Sequence, residues 1–190
     1  MRKILLLYCV FIVGCSPRSI EEEVLSFIDK TICFPDSMTV IQNEIVTSNS
    51  LILNDLYPIK LILYYSPNRC TPCIIGRLKD YERIFDLEVE NQFSPQIILA
   101  SKEKTHEYKA LISELKMQSL QFPVYIDKYD EFRRLNPCLP KNMNLHAFLL
   151  DKNNKVVLVG NPLINEAMWA LFKSTLENML AHDGEYVPEK

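Results

Sequence analysis

Cys70-Thr71-Pro72-Cys73 sets two thiols two residues apart. Such a pair can serve as a redox dithiol or as half of a zinc site, or it can arise by chance. The surrounding residues favour the redox reading. Ile59–Tyr65 (IKLILYY) is a nearly unbroken apolar run, which suits a central strand buried on both faces. Ser66-Pro67-Asn68 forms a loop, and after the thiols Ile74, Leu78, Tyr81 and Phe85 recur at helical spacing. The motif therefore opens a helix that leaves a buried strand. At such an end the first backbone N–H groups lack intrahelical partners, and their partial positive charge stabilises a thiolate. Arg69 adds a positive charge beside Cys70, and Pro72 falls in the first turn, where a missing N–H costs little. The chemistry expected is thiol-disulfide exchange. Cys70 is the exposed nucleophile, and Cys73, one turn further in, is the thiol that resolves the mixed disulfide.

The elements that must position this pair follow from the apolar pattern. A helix is expected over residues 20–32, opened by Ser19 and Glu22 as a capping box with acids in its first turn. Short strands are expected at 40–46 and 51–53, joined through 48–50. A buried strand follows at 96–100, a helix around Tyr108 to Leu115, a strand at 122–126 and a short helix or turn at 129–135. Strands at 145–150 and 155–159 read as a hairpin, and a final amphipathic helix carries Met168, Phe172, Leu176 and Met179. The order is an α/β architecture with helices on both faces of a mixed sheet.

On these residues the stretch 61–180 resembles the thioredoxin superfamily, most closely the TlpA-like thiol-disulfide oxidoreductases. The likeness rests on IKLILYY, CTPC, QIILAS, FPVYID and the hairpin HAFLLDKNNKVVLVG. It implies a three-layer sandwich, catalysis by Cys70 and Cys73, and no cofactor. Three positions depart from the family pattern. Arg69 stands where a Trp is usual, with one extra loop residue. Residues 144–146 hold no proline where the family places a cis-proline opposite the dithiol, the nearest upstream being Pro140. Leu63 or Tyr64 occupies the place of thioredoxin's buried acid. The missing proline leaves His146 room to face the sulfurs as a base or hydrogen-bond partner; the plainer reading is a strand histidine that points elsewhere. Tyr64 and Tyr65 read as core.

The amino terminus suggests export. Arg2 and Lys3 precede an apolar run over 4–13, too short to span a bilayer as a mature helix. It ends in Ile12-Val13-Gly14-Cys15, which resembles a lipobox, so Cys15 is expected to be acylated and to begin the mature chain. Removing residues 1–14 takes two of the 21 basic residues and none of the 24 acids, which moves the net charge from −3 to −5. Attachment to a membrane would then rest on the lipid itself. The expected organisation is a signal peptide (1–14), a lipidated linker and N-terminal helix (15–37), a thioredoxin-like domain (38–182) and a frayed tail (183–190). The expected location is the cell envelope, facing the periplasm, where disulfides persist.

The partners expected are exported proteins with disulfides, or a redox partner protein, with the membrane engaged through the lipid. The absence of a basic stripe argues against nucleic acid. The alternative function is a non-catalytic binding or assembly lipoprotein with a vestigial dithiol. A peroxidase is disfavoured because Pro67 and Leu63 stand where a peroxiredoxin-type pattern has Thr and Pro. A zinc site would need two further ligands, for which Cys138 and His146 are the candidates; no metal is expected. Cys33 and Cys138 read as free or buried thiols, as a mutual pair, or, for Cys138, as part of a thiol relay.

Overall fold

A computed structural model describes residues 19–49, 57–67, 71–90, 93–101 and 105–188. The expected lipidation site Cys15, the motif residues Arg69 and Cys70, and the strand expected at 51–53 lie outside them.

Helix α1 (Ile20–Phe27) starts as its sequence directs. Ser19 Oγ accepts from the Glu22 N–H at 3.1 Å, and the Glu22 carboxylate accepts from the Ser19 N–H at 3.0 Å. It ends earlier than the expected residue 32. Asp29 takes a left-handed conformation (φ 62°), and the chain then runs along the C-terminal hairpin. The Asp29 and Ile32 amides donate to the carbonyls of Val156 and Asn154 at 2.9 and 2.8 Å, and the Val156 amide donates to the Lys30 carbonyl at 2.9 Å. These bonds replace the helical ones and carry both Phe27 and Ile32 into the core.

The first hairpin also departs from expectation. Strands β1 (Met38–Gln42) and β2 (Ile45–Asn49) pair antiparallel about Asn43-Glu44, so the turn interrupts the run expected as a single strand. Both turn residues have positive φ, 48° and 65°. That is the primed geometry whose twist matches a two-residue hairpin.

The remaining elements are β3 (Ile59–Tyr65), α2 (Thr71–Ile75), a 3-10 turn (Leu78–Tyr81), α3 (Glu82–Glu90), β4 (Phe93–Ala100), α4 (Thr105–Gln118), β5 (Val124–Asp127), α5 (Glu131–Leu135), a 3-10 turn (Met143–Leu145), β6 (Ala147–Leu150), β7 (Val156–Val159) and α6 (Glu166–Ala181). The seven strands lie in the order β2-β1-β5-β4-β3-β6-β7. Strands β3, β4 and β5 run parallel, and the other pairs are antiparallel. Alternation along β3 feeds two cores. Leu61 and Leu63 join Ile75, Leu78, Leu111 and Phe172 on one face. Ile62 and Tyr64 join Phe27, Phe132 and Phe148 on the other. A mixed sheet between two helical layers is the architecture the sequence implies.

The single helix suggested by the Ile74-to-Phe85 stripe is broken. Helix α2 closes at Gly76, whose amide donates to the Pro72 carbonyl at 3.0 Å, and the chain passes through the 3-10 turn before α3 begins. At the far end, the segment after α6 turns back on it. Asn178 exchanges two hydrogen bonds with the Val187 backbone, at 2.8 and 2.9 Å, where a frayed tail was expected.

Candidate functional site

Three parallel strands bring their carboxyl ends to one edge of the sheet: Tyr65 of β3, Ala100 of β4 and Asp127 of β5. Strand β6 is antiparallel to β3 and begins at the same edge, just after His146. In open α/β sheets this is the edge where ligands and reactive groups gather. Here it collects Ser66-Pro67, helix α2, His146 and the loop after β7.

Helix α2 carries Cys73 and Pro72 into this edge. Its single buried side chain is Ile75, which anchors it to the core, while Pro72 and Cys73 are exposed. The exposure of Cys73 differs from the expectation that the second thiol lies inside. With only five residues, α2 has one turn and little interior to offer. Cys73 is disulfide-bonded. Neither Cys33 nor Cys138 is its partner, because both are free thiols.

His146 closes the stretch 144–146, where the family likeness places a proline. It is only 2% exposed. Its Nε2–H donates to the Pro140 carbonyl at 2.8 Å, its ring packs 5.4 Å from that of Tyr64, and its own carbonyl accepts from the Tyr64 amide at 2.9 Å. With Nε2 protonated, only Nδ1 remains to take up a further proton. Among the described residues no peptide bond is cis.

Tyr64 continues the buried side of the site. Its hydroxyl donates to the Asp130 carboxylate. Burial first, and then the hydrogen bond and charge of Asp130, hold that hydroxyl well above the ordinary tyrosine range.

Hollows flank α2. The larger, of about 530 Å³, is lined by Tyr65, Arg77, Tyr81, Asn144, His146 and Asn161, among others. The Tyr65 and Tyr81 hydroxyls share a hydrogen bond of 2.7 Å, and the Asn161 amide donates to the Tyr81 hydroxyl at 2.9 Å. The smaller, of about 300 Å³, lies between Thr71-Pro72 and α4, where Glu107 and Glu114 line it. The sequence reading took Tyr65 for core and did not single out Tyr81 or Asn161 for the site. The one available signal was Tyr65 as the last residue of an otherwise apolar strand, the place where a polar tip reaches the sheet edge.

The shape of the whole chain can be compared with known structures. Enterococcus faecalis AhpC superposes with a TM-score of 0.50 at 13% identity, over 86% of this chain and 99% of that one. The yeast mitochondrial 1-Cys peroxiredoxin does so with a TM-score of 0.50 at 11% identity, over 85% and 80%. A thioredoxin-like protein from Porphyromonas gingivalis gives 0.48 at 17%, over 82% and 97%. The chain has a thioredoxin-like fold. No family model matches its sequence, and no curated protein does.

In this fold helix α2, the carboxyl end of β3 and the residue before β6 lie at the same end of the sheet. Of the residues singled out from sequence, Pro72, Cys73 and His146 fall at that end; Arg69, Cys70 and Cys15 lie outside the described residues. Among the described residues no three His, Cys, Asp or Glu side chains are grouped to hold a metal ion. No helix among them is long and apolar enough to cross a membrane.

Proposed function

We propose that the chain is a thiol-disulfide oxidoreductase of the cell envelope, anchored through lipid on Cys15, which exchanges disulfides with exported proteins through Cys70 and Cys73. The observation that carries this reading is Cys73 itself: exposed, already in a disulfide, in the one-turn helix that follows the central strand of a thioredoxin-like sheet. Cys70, the residue just before the described helix begins at Thr71, is the bonding partner in this reading, because a two-residue spacer lets both sulfurs meet across one turn. In the reduced chain the Cys70 thiolate attacks a substrate disulfide. One substrate sulfur leaves as a thiolate, and a mixed disulfide forms. Cys73 loses its proton and attacks the Cys70 sulfur, and the second substrate sulfur leaves. Two electrons pass to the substrate, and the chain is left with the disulfide form. A redox partner must restore the dithiol.

The test is insulin reduction by the purified full chain with dithiothreitol, beside Cys70→Ser and Cys73→Ser. The expected result is catalysed turnover that falls to background in both variants, with Cys73→Ser trapping substrate as a mixed disulfide. Equal background rates in all three chains would overturn the reading. They would leave the competing one, a binding or assembly module with a vestigial dithiol. One observation favours that competitor: a buried trans His146, tied to Pro140, occupies the place where the family has the cis-proline that holds a substrate strand.

A further inference from the structure

The segment after α1 and the turn after α5 are sewn together by one side chain. Asn136 is 1% exposed. Its Oδ1 accepts from the Cys33 amide at 2.8 Å, and its Nδ2 donates to the Cys33 carbonyl at 2.8 Å and to the Phe132 carbonyl at 2.7 Å. The amide of Leu139 donates to the Asn136 carbonyl at 3.1 Å, which closes a turn over Pro137-Cys138. Cys33 is thus pinned against Asn136, and Cys138 follows two residues on in a tight turn. Both are free thiols, one exposed and one half-buried. Burial raises the Cys138 thiol above its usual range, Lys30 lowers it, and Cys33 raises it further.

We infer that Cys33 and Cys138 are a second redox pair, which closes to a disulfide that ties the segment after α1 to the turn after α5. The bond needs an oxidant, and a disulfide supplies it. The exposed Cys33 thiolate attacks glutathione disulfide; a Cys33–glutathione mixed disulfide forms and one glutathione thiolate leaves. Cys138 gives up its proton and attacks the Cys33 sulfur, and the second glutathione leaves. Two protein thiols are oxidised by two electrons, and one glutathione disulfide becomes two thiols. The order of attack follows accessibility, since the buried, proton-retaining thiol is the poorer nucleophile toward a solvent-borne partner. The Asn136 side chain holds the Cys33 backbone to the turn that carries Cys138 before the bond forms. Cys138 packs against the cluster of Phe27, Tyr64 and Phe132, on the face of the sheet opposite Ile75 of α2, while Cys33 is exposed beside Asn136. Its chemistry is independent of the reading for Cys70 and Cys73.

The test treats the full chain with glutathione disulfide, then maps peptides by mass spectrometry without reduction, beside Cys33→Ser and Cys138→Ser. The expected product is a single peptide pair joined through Cys33 and Cys138. In Cys138→Ser, Cys33 should instead retain glutathione. Bridging an approximately 100-residue loop should raise the melting temperature of the wild-type chain on oxidation by about 5–10 °C. The serine variants should lose that increment while matching the wild type under dithiothreitol, which also verifies that they fold. Two separate glutathione adducts on one molecule, or a cross-link from Cys33 or Cys138 to another cysteine, would overturn the inference. Insulin turnover is read separately, so loss of that activity leaves this outcome unaffected.

Discussion

Two five-residue helices, one carrying a cysteine and one followed by a cysteine, are held in opposite ways. Helix α2, with Cys73, keeps its place through one buried side chain, Ile75, and through local backbone bonds such as Gly76 to Pro72 and Arg77 to Ile74. Helix α5, which leads to Cys138, is gripped from several directions. The buried Asp127 carboxylate accepts from the amides of Tyr129, Glu131 and Phe132 at 3.3, 2.9 and 2.7 Å. Phe132 is fully buried between the rings of Phe34 and Tyr64, and Asn136 binds the Cys33 backbone across 103 residues of sequence. Neither helix is long enough to be stable by itself. The difference is that α5 is held by several buried polar and aromatic partners, whereas α2 rests on buried Ile75 and half-buried Ile74. A sulfur that must exchange partners gains from a turn of low local stability, while a sulfur in a rigid setting gains a fixed neighbour.

The contrast can be broken from its rigid side first. Phe132→Ala should cost about 3–5 kcal/mol in urea unfolding, because the ring leaves a cavity between aromatic neighbours that cannot collapse. Asn136→Ala should cost about 2–3 kcal/mol, since the Cys33 amide and carbonyl lose their shared partner, and it should also slow formation of the Cys33–Cys138 bond. Tyr64→Phe should cost about 1 kcal/mol at neutral pH. Its sharper signature is at alkaline pH. The folded hydroxyl holds its proton above the ordinary value of 10.0, so the unfolded chain ionises first. The stability that Tyr64 contributes is whole below about pH 10 and is lost as the pH climbs past it. Thermal melts of the wild type should therefore fall over that range, and those of Tyr64→Phe should fall less. The smallest effect belongs to the loosely held side. Cys73→Ser, measured under dithiothreitol, should change stability by less than about 0.5 kcal/mol. A loss as large as that of Phe132→Ala would mean α2 is as deeply anchored as α5, and the comparison would fail.

Local signals were readable without coordinates. The Ser19-Glu22 cap, the apolar run of β3, the hairpin of β6 and β7 and the start of a helix at Thr71-Pro72-Cys73 all depend on residues within one or two turns of each other. Other features were hidden for identifiable reasons. The Asn43-Glu44 turn carries no glycine and lies inside an apolar stretch, so it reads as strand until its positive φ angles are seen. The break after Ile75 depends on how α2 and α3 pack against the sheet rather than on the periodicity they share. The bond from the His146 ring to the carbonyl of Pro140, six residues upstream, has no sequence signature at all.

The sequence by itself determined the element types, the mixed sheet between helical layers and the redox-type spacing at Cys70 and Cys73. Periodicity, capping and turn chemistry act over a few residues, and each of those features is that short. Tertiary structure alone decided that β5 lies between β1 and β4, that the Asn136 side chain meets the Cys33 backbone, and that Cys138 packs against the Phe27, Tyr64 and Phe132 cluster. Those are contacts across 100 residues or so of chain. They form because burying the Phe27, Tyr64 and Phe132 cluster outweighs the entropy of closing the loop, and no short stretch of sequence encodes that balance.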